Sequence, residues 1–399
     1  MEEADGGVAA RLAEARKLAG LTQQQLALRA NVSLSLFKKV EQGVVPASPT
    51  FIAATARTLG LLVTDLTQQP HFVSITSRYH TEQALIPDLE RAIIEFEDPY
   101  LEGPIIDLDE ASQRLDKVVR AGRRSRYTDV LAALPELLRQ LHAMSWDTAP
   151  GAAKERAQRL LTQAYQCAMF TAYKLGHLSL CAWAAERMSE AGQSSGDELW
   201  AAMGLYCRAQ ALMFSGSYRS SGAVLQRAAL SIDDCADPRA VDVRGAIHLS
   251  SAIIAARLNR PADSDLHLAE ARDLARHVLA GDSFDTAFSA ANVDIHDVAA
   301  AVEMSDGTTA LRRGANLELR GKLYPSRRSH YHIDLARAFF LHGNHEQSIR
   351  NLQTARQLAP QQVRYHPQVH ETIRALARAR RRSDPVTRLA IWAGLRDRT

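Results

Sequence analysis

The recurrent interruption of helical stretches is the feature of this sequence that most restricts its fold. From Tyr127 onward, apolar residues recur at three- and four-residue spacing, and the alternation typical of a strand is not found. Five short breaks, separated by 40, 44, 46 and 37 residues, lie around Gly176, Gly216, Arg260, Asp306 and Gly343. Each break follows one apolar helical stretch and precedes another with alanines at helical spacing. The pattern predicts consecutive helical hairpins from about residue 127 to about residue 380.

Two of the five breaks resemble a known repeat. FSGSY around Gly216 and LHGNH around Gly343 are similar to the tetratricopeptide pattern, in which a small residue after the break permits close helix packing. The breaks at Arg260 and Asp306 lack the glycine, and the intervals exceed the roughly 34 residues of the standard repeat. The resemblance implies a degenerate tetratricopeptide-like α-solenoid with a concave surface made mostly by the first helix of each pair.

Side chains on the expected first helices are candidates for a ligand site on that surface. Aromatic, methionine and polar residues at helical spacing can line a pocket, but such residues more often belong to the core. Both interpretations are open at this point. The candidate ligand-binding residues are Tyr165, Met169, Tyr173, Trp200, Met203, Tyr206, Gln210, His248, Asn292, His296, His332 and Arg337.

The first seventy residues carry start signals for five short helices. Thr22, Ser33 and Ser48 are each placed to cap a helix, and Thr64 is the candidate cap of the fifth. Pro49 follows Ser48 at the first helical position, where proline is tolerated. The second and third helices are joined by a turn of three to four residues, and the third exposes polar and basic side chains. A DNA major groove accepts such a pair of helices.

This segment has a local excess of positive charge that the whole chain does not show. The chain has a net charge of +3, whereas the stretch from Val8 to Gly60 has seven basic and two acidic residues. An excess of this kind favours a polyanionic partner. Taken alone, the adjacent Lys38 and Lys39 are more typical of a solvated helix face.

The residue pattern here resembles the Cro/C1-type (XRE) helix-turn-helix family. The matching motifs are L-T-Q-x-x-L-A at Leu21–Ala27, V-S at Val32–Ser33 and E-x-G at Glu41–Gly43, and the resemblance covers residues 8–68. It implies a five-helix lambda-repressor-like domain that binds double-stranded DNA. The stretch from Tyr324 to Gly343 also resembles a segment of actinobacterial regulators that join such a domain to a tetratricopeptide-like region.

The resemblance implies roles for individual residues. Gln23 and Lys38 would contact phosphates, and Leu34, Ser35 and Lys39 would face base edges. Because Leu34 replaces a polar or basic residue of many relatives, it could touch a thymine methyl but could not form a hydrogen bond. The implied DNA-binding residues are Gln23, Ser33, Leu34, Ser35, Lys38, Lys39 and Gln42.

Two further expectations concern the assembly of this domain. Arg16 and Glu41 resemble the structural ion pair that ties the first helix to the third in this family. A single domain makes few phosphate contacts, and readers of this kind commonly bind as dimers to half-sites about 34 to 36 Å apart. We therefore expect a homodimer on a palindromic operator.

Several other classes of site are not supported by the sequence. His366 and His370 have metal-like i,i+4 spacing, but no third ligand is evident, so no metal or other cofactor is expected. No nucleophile elbow, phosphate-binding glycine loop or pair of carboxylates suggests an enzyme. The acidic start MEEADGG and the lack of a long apolar run favour a cytoplasmic protein without a membrane segment. The cysteines lack C-x-x-C spacing and are expected to be reduced core residues; they are Cys167, Cys181, Cys207 and Cys235.

A basic helix lies close to the end of the chain. It could attract an acidic ligand, although a solvated helix face is the simpler interpretation. Its basic residues are Arg374, Arg378, Arg380, Arg381 and Arg382.

These observations predict an all-α protein with a Cro/C1-type domain over 1–70, a helical linker over 71–126 and a tetratricopeptide-like sensor and dimerisation domain over 127–399. The expected function is a transcriptional regulator whose repeat domain binds a small molecule or a peptide, and the alanine-, leucine- and arginine-rich chain resembles regulators of specialised metabolism. The ligand would favour one spacing of the two DNA-reading helices in the dimer. The alternative is an interaction scaffold whose repeats hold a partner protein while the N-terminal domain localises it on DNA.

Overall fold

The computed structural model describes residues 7–70, 81–97, 101, 104–278, 282–314, 317, 319, 323–379 and 384–395. Within these ranges it has 21 α-helices and no strand, which confirms the all-α fold class. Residue contacts divide the chain into two compact units. One comprises Met1–Val73, Ala255–Pro261 and Asp294–Thr399, and the other comprises Ser74–Ile254 and Ala262–Val293.

Five short helices form an N-terminal bundle in the first unit. They are α1 (Gly7–Leu18), α2 (Gln23–Arg29), α3 (Leu34–Glu41), α4 (Pro49–Leu59) and α5 (Val63–Thr67). The predicted caps of α2, α3 and α4 are confirmed, because Thr22, Ser33 and Ser48 each accept a hydrogen bond from the backbone N–H three residues later. The expected cap at Thr64 is wrong. The backbone N–H of Leu62 instead donates to the Asp65 carboxylate (2.8 Å), so the N-cap is Leu62 and lies two residues before Thr64.

The second unit contains the helices between this bundle and residue 293. They are α6 (Thr81–Ile94), α7 (Leu108–Arg123), α8 (Tyr127–Asp147), α9 (Ala152–Lys174), α10 (Leu178–Gln193), α11 (Glu198–Phe214), α12 (Tyr218–Leu230), α13 (Ala240–Arg257), whose last turn belongs to the first unit, and α14 (Pro261–Leu274). The structure places Pro87 inside α6, where its nitrogen has no hydrogen to donate to the helix.

The remaining helices belong mainly to the first unit. They are α15 (Ala290–Glu303), α16 (Gly307–Gly314), α17 (Pro325–Leu341), α18 (His345–Leu358), α19 (Pro360–Tyr365), α20 (Pro367–Ala379) and α21 (Asp384–Trp392). Apolar residues of α17, α18, α20 and α21, including Leu352, Ile373 and Leu389, form one continuous core cluster.

All five predicted breaks fall between consecutive helices, and their backbone explains why two of them lack glycine. Gly176, Gly216 and Gly343 have positive φ, and so do Asn259 and Ser305 at the two breaks without glycine. In each case the residue that follows donates its backbone N–H to the carbonyl oxygen of the residue five positions before it. Arg260, for example, donates to the Ala255 carbonyl oxygen. This is the Schellman helix end, in which asparagine also tolerates the left-handed conformation. At these two breaks the left-handed residues are Asn259 and Ser305, each one residue before the expected positions, Arg260 and Asp306.

Close helix packing in the second unit depends on two glycines. A Cβ on Gly192 would lie 2.6 Å from the Trp200 carbonyl oxygen, and one on Gly204 would lie 2.8 Å from the Ser189 Cα. Real Cβ atoms do not approach backbone atoms this closely. These two glycines therefore permit the short distance between α10 and α11. In the described part of the chain, no helix is long and apolar enough to cross a membrane.

Candidate nucleic-acid interface and associated cavity

The N-terminal bundle places α3 at its surface with one face inward. Phe37 and Val40 are almost fully buried and pack with Leu26 and Ala27 of α2 in a common core. The turn between α2 and α3 includes Asn31 in the left-handed conformation (φ 55°). Helical periodicity therefore directs the residues between Phe37 and Val40 away from this core.

An ion pair joins the first and third helices of the bundle. Arg16 Nε lies 2.7 Å from Glu41 Oε1, and the two side chains are only 13% and 7% exposed. Arg16 also donates from Nη1 to the Leu21 carbonyl oxygen at 2.8 Å. The same Glu41 carboxylate accepts a hydrogen bond from the Gln23 side chain. In this arrangement the Gln23 amide is engaged inside the bundle, so its expected phosphate contact stays a prediction.

The expected DNA-facing side chains do not all lie in the same environment. Most are exposed on and next to α3, namely Ser33, Ser35, Lys38, Lys39 and Gln42. Leu34 is half-buried and packs against the bundle core. Leu36, which the sequence analysis did not select, is 37% exposed on α3. In the described part of the chain, neither lysine forms an ion pair.

The bundle is held against α20 by contacts between residues more than three hundred positions apart. Arg378 Nη1 donates to the Gly43 carbonyl oxygen at 2.9 Å, and Gln368 Nε2 donates to the Ala47 carbonyl oxygen at 3.2 Å. At the other end, the backbone N–H at the start of α1 bonds the Glu371 carboxylate at 3.3 Å. We call this packing of the bundle on α17 and α20 the docked arrangement.

The docked arrangement corrects the expectation of a solvated basic helix. Arg378 contacts the bundle, and Arg374 is only 12% exposed because it forms an ion pair with Glu371 at 3.0 Å. A side chain on Gly7 would meet Arg374, and one on Gly43 would meet Arg378. Arg380, Arg381 and Arg382 lie outside the described residues.

A cavity of about 320 Å³ lies between α3 and the helices on which the bundle is docked. Ser33, Ser35 and Lys39 line one side, and Arg337 and Phe340 of α17 line another. Three of the expected DNA-binding residues and one of the expected ligand-binding residues therefore share one space. This proximity of Lys39 to α17 was not visible in the sequence.

Behind the cavity, a buried network of charges holds Arg337. Glu303 accepts hydrogen bonds from Arg257 Nε at 2.9 Å and from Arg337 Nη1 at 2.8 Å. Arg337 Nη1 also lies 3.2 Å from Asp334 Oδ1. Burial raises the pKa of Glu303, but attraction by Arg257 and Arg337 outweighs it and lowers that pKa to about 2. Burial raises the pKa of Asp334 to about 6, because Arg337 compensates it only in part.

In the second unit, most of the expected ligand-binding residues lie in the core. The buried ones are Tyr165, Met169, Trp200, Met203, Tyr206, Gln210 and Asn292. Tyr165 OH lies 2.6 Å from His142 Nε2, and Gln210 donates to Ser250 Oγ at 2.6 Å. Burial, followed by repulsion from Arg187, lowers the pKa of His142 to about 4, so a neutral imidazole meets the tyrosine at neutral pH.

The inner side of α9, α11 and α13 is covered by residues 282–288 of the same chain. Phe284 is fully buried, its ring meets Trp200 edge-on at 4.8 Å, and its carbonyl oxygen accepts a hydrogen bond from Gln166 at 2.8 Å. Phe288 packs directly over Gly245, where a Cβ would collide with its ring. Arg123 of α7 anchors the segment through Asp285 at 2.6 Å. The surface expected to receive a ligand is thus partly filled by the chain itself.

The other five candidate ligand-binding residues are half-buried, and three of them have neighbours that restrict them. Tyr173 stacks on Phe214, and His332 Nδ1 lies 2.9 Å from Asn351 Oδ1. The Nδ1 atoms of His248 and His267 lie 3.1 Å apart, and burial lowers the pKa of both imidazoles. The five residues are Tyr173, His248, His296, His332 and Arg337.

No group of three metal-ligating side chains is found within the described residues. His370, one member of the i,i+4 pair, has its Nε2 2.5 Å from the Arg364 carbonyl oxygen, which indicates a structural role. The buried Cys181 and Cys207 have raised pKa values because of burial, Cys181 to about 12. Their thiols are therefore protonated at neutral pH and act as small core residues.

Comparison with known proteins identifies the N-terminal bundle. Residues 8–68 match the family model of a helix-turn-helix domain. Among curated proteins, none matches the chain. A solved structure of Bacillus thuringiensis PlcR in complex with the peptide PapR7 and DNA is similar at 14% identity, covering 67% of this chain and 93% of that chain with a TM-score of 0.29. A TM-score of that size is too low to relate sites in the two chains.

Proposed function

We propose that the protein is a sequence-specific DNA-binding transcriptional regulator, and that its helical region behind the N-terminal bundle receives a signal that changes DNA affinity. The proposal depends above all on the capped helix α3, whose exposed Ser35 and Lys39 lie within the segment that matches a helix-turn-helix domain. A helix of this kind can place its first residues on base edges in the major groove. We assign no catalytic role to the chain.

The docked arrangement implies that DNA binding requires a rearrangement. B-DNA has a major groove about 12 Å wide and about 8.5 Å deep, and a helix must lie within it to read bases. The 320 Å³ cavity in front of Ser35 and Lys39 cannot contain a duplex. We therefore infer that the bundle separates from α17 and α20 before DNA binds.

Hydrogen bonds between the bundle and α20 oppose this separation. Arg378, Gln368 and Glu371 make these bonds with the backbone of the bundle. The neutral bond of Gln368 contributes on the order of 1 kcal/mol net, and the two bonds that involve a charged group contribute about 1.5 to 3 kcal/mol each, since water replaces them after separation. A difference of a few kcal/mol between the two arrangements is within the range that a ligand or DNA can reverse.

The cavity lined by Lys39 and Arg337 favours a signal receptor over an interaction scaffold. A scaffold needs an open inner surface on its repeats, whereas residues 282–288 cover that surface in the second unit. We further propose that the protein is a homodimer that binds a palindromic operator, because one bundle offers few phosphate contacts.

Selection of duplexes from a random library with the full-length protein tests the proposal. We expect a selected sequence to be bound, and the double variant Ser35→Ala/Lys39→Ala to lose this specificity while keeping its helical circular dichroism. Lys38→Ala, at the lysine expected to contact a phosphate, should instead keep the specificity and reduce the salt dependence by about one phosphate contact. A matched control is Ser179→Ala/Lys117→Ala, because both residues are exposed in the second unit.

The outcome is decisive for the DNA-reading residues. Failure to select any sequence would contradict the proposed function as a whole. Equal affinity of the wild type and Ser35→Ala/Lys39→Ala for the selected duplex would remove these two residues from the interface. Inverted repeats at a spacing of about one helical turn, or multiples of it, would support a dimer.

A further inference from the structure

The cavity in front of α3 has a chemical character of its own. Lys39 and Arg337 are the charged residues among the described side chains that line it, and none of these side chains is acidic. Its walls also include Leu36, Phe340 and Leu341. The two leucines are 37% and 38% exposed, respectively, so apolar surface remains uncovered in the cavity. Apolar walls with a small number of polar groups are typical of small-molecule sites.

The charges around the cavity leave one positive charge without compensation. Arg257 and Arg337 are balanced by Glu303 and Asp334 in the network behind the wall. In the described part of the chain, Lys39 forms no ion pair. One negative charge placed between Lys39 and Arg337 would therefore complete the local balance.

Arg337 can bind an anion without leaving the network. A guanidinium has five N–H donors, and the ion pairs of Arg337 with Glu303 and Asp334 both use Nη1. Its Nε and Nη2 atoms have no hydrogen-bond partner within the described residues. These atoms are available to a carboxylate, which matches guanidinium geometry well.

We propose that this cavity binds a small amphipathic monocarboxylate, whose charge lies between Lys39 and Arg337 and whose apolar part contacts Leu36, Phe340 and Leu341. The cavity's volume of about 320 Å³ lies at the lower end of the roughly 300 to 1,000 Å³ typical of small-molecule pockets. The ligand would be smaller than a peptide effector.

Such a ligand would act on DNA binding by mutual exclusion, an inference that rests on the proposed function. The ligand joins α3 to α17 and stabilises the docked arrangement, in which DNA cannot reach Lys39. DNA needs the same lysine and a separated bundle. Because coupling between two ligands is reciprocal, the carboxylate lowers DNA affinity and DNA lowers carboxylate affinity, typically by about 5- to 150-fold.

Calorimetric titration of the full-length protein with octanoate and 4-phenylbutyrate tests the site without DNA, and 1-octanol is the neutral control. We expect at least one carboxylate to bind, and 1-octanol to bind roughly 10- to 100-fold more weakly because a neutral hydroxyl forms no charge-assisted hydrogen bond with an anionic oxygen. Leu341→Glu adds a negative charge to the cavity and should abolish binding. Leu230→Glu is the matched control, since Leu230 is exposed on α12 and far from the cavity in sequence.

A second measurement tests the coupling with a duplex selected by the wild type. The binding carboxylate should weaken the affinity of the wild type for DNA at least about fivefold, and should not affect Leu341→Glu. Arg378→Ala, which loses the hydrogen bond to Gly43, should raise DNA affinity roughly tenfold without ligand. Arg350→Ala controls for the lost charge, because Arg350 is 61% exposed in a surface pair.

Each result separates the inference from the proposed function. Absence of carboxylate binding, while the selected duplex is still bound, overturns the inference and leaves the function standing. Equal binding of 1-octanol overturns the charge argument, and unchanged binding by Leu341→Glu places the ligand elsewhere. Carboxylate binding that leaves DNA affinity unchanged or raises it overturns the mutual exclusion.

Discussion

Replacement of Glu303 by glutamine tests the charge network that supports the cavity. The variant keeps the shape and one acceptor but removes the negative charge between Arg257 and Arg337. The Glu303 side chain is only 6% exposed, so water cannot replace the lost charge. Glutamine thus approximates the protonated form of Glu303. The decrease in the pKa of Glu303 on folding therefore measures how much more the ionised form stabilises the folded protein than the protonated form does.

The magnitude follows from that pKa. Its decrease from an ordinary 4.5 to about 2 corresponds to about 3 kcal/mol, at 1.36 kcal/mol for each unit. This agrees with the 3 to 5 kcal/mol typically lost when one partner of a buried ion pair is removed. We therefore expect Glu303→Gln to lower the free energy of unfolding of the first unit by about 3 kcal/mol at pH 7.

The pH dependence has a definite sign. A carboxylate whose folded pKa is depressed stabilises the protein above its unfolded pKa, and this contribution is lost as pH falls through the folded value. The difference between the wild type and Glu303→Gln should be complete above pH 4.5 and should decrease as pH falls toward 2. Asp334, with a pKa raised to about 6, acts in the opposite sense in the wild type and destabilises it as pH rises to about 6; the effect is smaller in Glu303→Gln, because the Glu303 charge contributes to that raised pKa.

Hydrogen exchange measured by mass spectrometry resolves the effect in peptides of α15 and α17. A loss of about 3 kcal/mol corresponds to protection reduced by about 100-fold for the slowest amides. Glu346→Gln is the matched control, because Glu346 is 63% exposed in a pair with Arg350 and should change stability by less than about 0.5 kcal/mol. Equal protection in Glu303→Gln and the wild type at pH 7, or a difference that does not decrease in acid, would refute the reasoning.

Two further substitutions test the packing of the N-terminal bundle and of the repeats. Glu41→Ala leaves the half-buried Arg16 without its carboxylate and should lower the free energy of unfolding of the bundle by about 2 to 4 kcal/mol. Amide hydrogens of α1 to α3 should then exchange faster, and unchanged exchange would contradict a stabilising role of the ion pair. Gly204→Val places a side chain against the Ser189 backbone and should lower the midpoint of thermal unfolding through a loss of about 1 to 3 kcal/mol, whereas Gly122→Ala, where the space is open, should be neutral or stabilising.

The helices and their ends were largely predictable because their signals are local. Ser33 and Ser48 cap the helices that they precede, and the repeat breaks were located to within one residue. The expectation at Thr64 was wrong because the Asp65 carboxylate, at the third helical position, accepts a hydrogen bond from the Leu62 N–H and moves the start of the helix.

The environment of the candidate site was less predictable. The sequence selected Lys39 for DNA and Arg337 for a ligand, but gave no sign that both line one cavity. It also did not show that residues 282–288 cover the inner side of α9 and α11. The hydrophobic effect is not directional. A helical pattern of apolar residues therefore predicts that one face is buried, but it does not predict which segment covers that face.

The amino-acid sequence by itself determined an all-helical chain, the helix-turn-helix bundle at residues 8–68 and the positions of the hairpin breaks, since capping, left-handed turns and helical periodicity depend on residues only a few positions apart. Tertiary structure alone decided that α3 lies opposite α17 and α20. The contacts responsible, such as Arg378 with Gly43, join residues 335 positions apart and leave no mark on either local sequence.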